Sequence, residues 1–68
     1  MATITKKSTI GEILATDMET AKFLLAMGMH CLGCPSSQGE TLEEACMVHG
    51  VDVDKMVADM NEFLAAKN

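Results

Sequence analysis

Apolar residues recur at helical spacing along most of this chain, and the pattern is clearest after Asp52. There the apolar positions fall at offsets of 0, 3, 4, 7, 10 and 11, as Val53, Met56, Val57, Met60, Phe63 and Leu64. These offsets match the 3.6-residue period of an α-helix. They predict a final amphipathic helix capped by Asp52, with a solvated face that carries Asp54, Asp59 and Glu62.

Three Thr-x-x-Glu sequences predict where the earlier helices begin, because this spacing forms a capping box at a helix N-terminus. The boxes are Thr9 with Glu12, Thr16 with Glu19 and Thr41 with Glu44. They predict a short helix over about residues 10–15, a second helix up to about Met27, and a third from residue 42. Gly28 and Gly50 are expected to end the second and third helices.

Two of these helices have a predicted apolar face. The second is expected to bury Met18, Ala21, Leu24 and Leu25. The third is expected to carry Leu42, Ala45, Cys46 and His49 on one face.

Residues 29–40 break the helical pattern, and Gly33, Gly39 and the Ser36-Ser37 pair indicate a loop. Pro35 favours the first position of a short helical turn inside that loop. The segment before residue 9 is expected to be extended around Ile4. The sequence therefore predicts a single all-α domain over residues 1–68, a compact bundle of four to five short helices with a Cys-x-x-Cys loop between helices.

The charge excludes some partners. Five basic residues against ten acidic ones give 68 residues a net charge of −5. Nucleic acid and anionic membrane both require a basic surface, so neither is expected as a partner. No apolar run reaches the length of a membrane span or a signal peptide, and the predicted location is the cytoplasm.

The chemically distinctive feature is the pair Cys31 and Cys34, separated by Leu32 and Gly33. A disulfide needs a tight turn at this spacing, which Gly33 permits. A helix start at Pro35 would place Cys34 at an N-cap, where a thiolate is stabilised and its pKa lowered. So small a disulfide ring adds at most about 2 kcal/mol of stability, which favours a reversible bond over a structural one.

The remaining candidate residues leave several roles open. His30 is a candidate modulator of the neighbouring thiol's pKa, which slightly favours Cys31 as nucleophile and Cys34 as resolving thiol. The spacing of Cys31, Cys34, Cys46 and His49 also permits a metal site for zinc or an iron–sulfur cluster. Against that, Cys46 lies on an apolar face and is predicted to be buried and slow to react. Met29 and Leu32 are expected to form an apolar docking patch around the loop.

The sequence resembles the hybrid-cluster-protein-associated redox disulfide domain family. The resemblance runs from about Ile4 to Leu64 and rests on three segments, 28–34 (GMHCLGC), 40–45 (ETLEEA) and 49–52 (HGVD). Met18 stands where members of that family often have a proline, which removes one helix-start signal and leaves the cysteine loop intact.

The resemblance implies a small all-helical bacterial domain in which Cys31 and Cys34 form the redox pair. No cofactor is expected for such a pair, and zinc or an iron–sulfur cluster is the alternative. A similar module forms the N-terminal domain of di-iron proteins that repair iron–sulfur clusters, which implies a protein redox partner of the metalloprotein or iron–sulfur class. Three functions stay open at this point: a dithiol–disulfide module, a metal- or cluster-binding domain, and an interaction module with incidental thiols. Whether thiol–disulfide exchange is enzymatic, and whether the chain forms a homodimer, also stay open.

Overall fold

The computed structural model describes residues 3–29, 32 and 35–67. In this part of the chain five α-helices and one 3₁₀ turn follow one another, joined by short connections. They are α1 (Ile10–Thr16), the 3₁₀ turn (Met18–Thr20), α2 (Ala21–Ala26), α3 (Pro35–Gln38), α4 (Leu42–His49) and α5 (Val53–Lys67). Apart from one isolated bridge between Thr9 and Thr41, these residues contain no β structure. The predicted all-α bundle is confirmed, and the Cα radius of gyration of 10.7 Å is that of a compact chain of this length.

Two capping boxes begin α1 and α4, as predicted, and the structure places them side by side. Thr9 and Thr41 have nearly identical backbone angles, φ −79° with ψ 158° and φ −79° with ψ 159°. The first backbone N–H of each helix donates to a carbonyl in the segment that precedes the other helix. Ile10 N–H donates to Glu40 O at 2.9 Å, and Leu42 N–H donates to Ser8 O at 2.8 Å. The first amides of both helices are thereby satisfied without water.

The start of the second helix differs from the prediction. Thr16 belongs to the last turn of α1, and its hydroxyl donates to Glu12 O at 2.9 Å, so it does not cap the next element. Asp17 caps instead, and its carboxylate accepts from Glu19 N–H at 2.9 Å. The turn from Met18 to Thr20 is 3₁₀ before α2 begins.

The core consists of one cluster of buried apolar side chains drawn from every long element and from the N-terminal segment. Its members are Ile4, Ile10, Ile13, Leu14, Leu24, Met29, Leu42, Ala45, Cys46, Met60 and Leu64. On α5 Met60 and Leu64 are buried, and the other apolar positions of the predicted stripe pack partly buried against the cluster. The predicted face of the second helix is wrong in part, because Met18 and Leu25 are 70% and 53% exposed.

Ile4 is buried through a partner distant in sequence. Its N–H donates to Asn61 Oδ1 and its carbonyl accepts from Asn61 Nδ2, both at 2.8 Å. The side-chain amide of Asn61 on α5 thus satisfies both backbone polar groups of the buried Ile4. The helices described here are all too short or too polar to cross a bilayer.

Candidate functional site

The predicted redox pair, Cys31 and Cys34, and the predicted modulator His30 lie outside the described residues. Gly33 lies outside them as well. The structure therefore describes how the neighbours on either side of the cysteine loop are held, and where Cys46 and His49 lie.

On the N-terminal side, α2 ends at a glycine turn that buries the residue after it. Gly28 has φ +109°, a region that favours glycine. Gly28 N–H donates to Leu25 O at 3.0 Å and Met29 N–H to Leu24 O at 3.2 Å, the two hydrogen bonds of a Schellman motif. Met29 is buried in the core, so the predicted surface patch does not include it. The chain therefore enters the cysteine loop from a fixed point.

Leu32, between the two cysteines, is held by α3. Gln38 Nε2 donates to Leu32 O at 3.1 Å, and the Leu32 side chain is half-buried against the core. The predicted turn beginning at Pro35 is confirmed, and Gln38 is its last residue. The role of Gln38 was not predicted, since a polar residue at the end of a four-residue helix gives no local signal of a distant acceptor.

Cys46 lies on the buried face of α4, as predicted, and is 1% exposed. Its thiol donates a weak hydrogen bond to Met27 Sδ at 3.8 Å. Burial, and to a smaller extent the charge of Asp52, raise the pKa of the Cys46 thiol. Because the thiolate is the nucleophile, both effects lower the fraction of this cysteine that is able to react.

His49 does not continue the buried stripe of α4 as predicted, and it is exposed at the C-terminal end of the helix. The imidazole ring of His49 lies close to the glycine turn that ends α2. A Cβ atom added at Gly28 would be 3.3 Å from His49 Nδ1. The described residues contain no group of three or more potential metal ligands. The proposed four-ligand set also needs Cys31 and Cys34, so it remains a prediction.

Two surface cavities border the anchored ends of the loop. One, of about 290 Å³, is lined by Gly28, Met29, Ser37, Glu40, Ala45, Val48 and His49. The other, of about 300 Å³, is lined by Gly11, Leu14, Ala15, Met18, Ala21, Leu32 and Gln38. Both are mainly apolar and each includes residues from before and after a cysteine, which suits a site that receives the side chains of another molecule.

Comparison with known proteins supports the fold and the family. The chain is similar to a protein from Clostridium thermocellum with a solution NMR structure determined as a structural-genomics target. The two are 50% identical over 97% of this chain and 94% of that chain, with a TM-score of 0.81. No curated protein is significantly similar to the chain. The sequence model of a domain of unknown function, DUF1858, matches residues 4–57, from the buried Ile4 through the cysteine loop into α5, and the chain therefore belongs to the DUF1858 family.

Proposed function

We propose that this chain is a small dithiol–disulfide module in which Cys31 and Cys34 exchange two electrons with a disulfide or dithiol of a partner protein. In the reducing direction, the thiolate of one cysteine attacks a partner disulfide and releases one partner thiol. The second cysteine then attacks the mixed disulfide, releases the other partner thiol and closes the Cys31–Cys34 bond. Two thiol hydrogens and two electrons pass to the partner.

The observation that carries this proposal is the way the segment with the two cysteines is held by its described neighbours. Met29, which precedes this segment, is buried, and the carbonyl of Leu32 within the segment accepts a hydrogen bond from Gln38. The helix α3 begins directly after the segment. A loop fixed at these points limits how far two cysteines three residues apart can separate. That favours a bond that forms and breaks while the fold is unchanged.

The environment of Cys46 argues against this third cysteine as a member of the reactive pair. Cys46 is buried and its pKa is raised, so it is poorly suited to attack a disulfide. The similarity of residues 28–34 to hybrid-cluster-protein-associated redox disulfide domains supports Cys31 and Cys34 as the working pair. It also supports a metalloprotein or iron–sulfur protein of the bacterial cytoplasm as the partner.

The test is a redox titration of the purified protein, with every cysteine variant measured in parallel. Oxidation should lower the mass by about 2 Da and place one bond within residues 31–34. Equilibration with glutathione or thioredoxin buffers should give a midpoint between about −270 and −120 mV. Cys31→Ser and Cys34→Ser should each abolish the transition, whereas Cys46→Ser, the matched control, should keep it.

Two results would contradict the proposal. One is a pair that stays reduced throughout this range with no metal bound. The other is zinc or iron that co-purifies with the protein made without oxygen and is lost on Cys46→Ser, which would favour the metal-binding alternative.

In the reduced protein a neutral thiol reagent should label two cysteines quickly and Cys46 slowly, because Cys46 must wait for local opening of the core.

A further inference from the structure

The cavity lined by Glu40, Val48 and His49 is bordered by both buried and exposed apolar residues. Met29 and Ala45 are buried at its base, and Val48, 76% exposed, stands at its edge. Met47, next to Val48 and 75% exposed, extends the apolar surface beyond the cavity. A volume of about 290 Å³ is at the lower limit for small-molecule sites, so the cavity suits one or two side chains better than a cofactor.

The described lining of this cavity has two titratable side chains, Glu40 and His49. Glu40 contributes the only acidic side chain to its lining, and among the described residues its carboxylate makes no hydrogen bond or ion pair. None of the chain's five lysines lines the cavity. Lys6 pairs with Glu43, Lys55 with Asp59 and Lys67 with Asp17, while Lys22 lies 4.0 Å from the centre of the Phe63 ring. With a net charge of −5, the chain as a whole attracts cationic ligands more than anionic ones.

Two residues that line the cavity are close to the cysteine pair in sequence. Met29 is two residues before Cys31, and Ser37 is three residues after Cys34. Consecutive Cα atoms are about 3.8 Å apart, so a side chain seated in the cavity belongs to a segment within reach of the thiols. Glutathione, which carries two carboxylates and one ammonium group, fits this charge pattern poorly.

From these observations we propose that the cavity lined by Glu40, Val48 and His49 is a recognition pocket for a partner protein's segment in which an apolar side chain stands next to a lysine or arginine. The apolar side chain covers Met29 and Ala45, and the cation pairs with Glu40. This inference rests on the proposed dithiol function for its biological meaning, since the segment would flank the partner's redox cysteine. Binding itself does not require the thiols.

The test measures binding of three peptides that contain serine in place of cysteine, so that no exchange can occur. The peptides are acetylated, amidated and identical except for the two residues next to the serine: leucine–lysine, leucine–glutamate or glycine–lysine. Nuclear magnetic resonance titration of the isotope-labelled protein should shift the amides of Glu40, Ala45 and Val48 with the leucine–lysine peptide. Its Kd should be about three- to fivefold lower than that of the leucine–glutamate peptide, the scale of one exposed ion pair.

Matched variants separate the pocket from general charge and hydrophobicity. Glu40→Gln should remove the preference for lysine, whereas Glu62→Gln on α5, with the same loss of charge, should retain it. Val48→Ser should remove the preference for leucine over glycine, whereas Met47→Ser should retain it. All four side chains are outside the buried core, so the helical dichroism should be unchanged.

The outcomes distinguish this inference from the proposed function. Peptide discrimination at Glu40 without any redox transition would keep the pocket and refute the dithiol module. A redox transition without peptide shifts at the cavity, or with equal affinity for all three peptides, would overturn the pocket alone. Concentration-dependent dimerisation that Glu40→Gln abolishes would overturn it too, because the occupant would then be a second copy of this chain.

Discussion

Gly28 and Gly50 end α2 and α4 by the same local chemistry and lead to very different continuations. Gly50 N–H donates to Met47 O at 3.4 Å and Val51 N–H to Cys46 O at 2.9 Å, the same two bonds that Gly28 and Met29 make. After Gly50, two residues lead directly into α5. After Gly28, the chain passes into the cysteine segment before α3 begins.

The surroundings of the two glycines differ as much as their continuations. Gly28 has φ +109° and faces the His49 ring, whereas Gly50 has φ +69° and would have nothing within 4 Å of an added Cβ. Val51 is half-buried after the second turn, while Met29 is buried after the first. The same helix-ending motif thus leads directly into the next helix in one place, and in the other it buries the residue that precedes the cysteine segment.

The largest expected difference between the turns comes from the residue after each glycine. Met29→Ala should lower the free energy of unfolding by about 2–4 kcal/mol, because it leaves a cavity in the core. Val51→Ala removes two carbons from a half-buried site and should cost about 1 kcal/mol. Urea unfolding monitored by circular dichroism measures both, and equal losses would mean that the two turns are anchored alike.

The glycines themselves give the next largest effect. Gly28→Ala should cost about 2–3 kcal/mol, since it combines an unfavourable φ with a close contact to His49. Gly50→Ala should cost about 1 kcal/mol, from the backbone conformation alone. In the double variant Gly28→Ala with His49→Ala, part of the stability lost through Gly28→Ala should be regained. Strictly additive effects of the two substitutions would show that the contact with His49 does not contribute to that loss.

Two further substitutions should have smaller effects on the free energy of unfolding, and only one of them should change the reactivity of Cys31 and Cys34. Asp52→Ala removes the carboxylate that accepts from Asp54 N–H at 3.0 Å and should cost about 1 kcal/mol. Cys46 is the thiol whose pKa this charge raises, so the reaction rates of Cys31 and Cys34 should be unchanged. Gln38→Ala removes the bond to Leu32 O and should cost only about 0.5 kcal/mol. It should nevertheless change the rate at which Cys31 and Cys34 react with a neutral thiol reagent. An unchanged rate would mean that this bond does not restrain the loop.

The smallest expected effect comes from a substitution at Asp17, outside both glycine turns, which serves as a control for the substitutions at the turns. The hydrogen bond from Lys67, and then that from Glu19 N–H, lower the pKa of Asp17. Stability from this carboxylate is present above its ordinary pKa, about 4, and is lost as the pH falls through the lower folded value. Asp17→Asn should therefore flatten the pH dependence of stability below about pH 4, most visibly at low salt, and leave thiol reactivity as in the wild type. An equally steep dependence in the variant would assign it to other carboxylates.

Local signals in the sequence determined the elements that depend only on neighbouring residues. The boxes at Thr9 and Thr41 form as predicted because each joins atoms three residues apart. The stops at Gly28 and Gly50 form because glycine alone takes a positive φ without cost. The stripe of α5 and the burial of Cys46 follow from helical periodicity, which places these residues on the face that meets the core.

Tertiary packing decided what local patterns left open or indicated wrongly. Thr16 and Asp17 can each cap a helix, and packing extended α1 through Thr16, so that Asp17 became the cap. Met29 is buried because the chain turns toward the core after Gly28, and Leu25 is exposed because α2 packs its Leu24 face against the core. The pairing of Ile4 with Asn61, the bond from Gln38 to Leu32 and the position of His49 over Gly28 join residues that are neighbours only in the folded chain. No periodicity indicates such contacts, because they depend on where whole helices pack against one another.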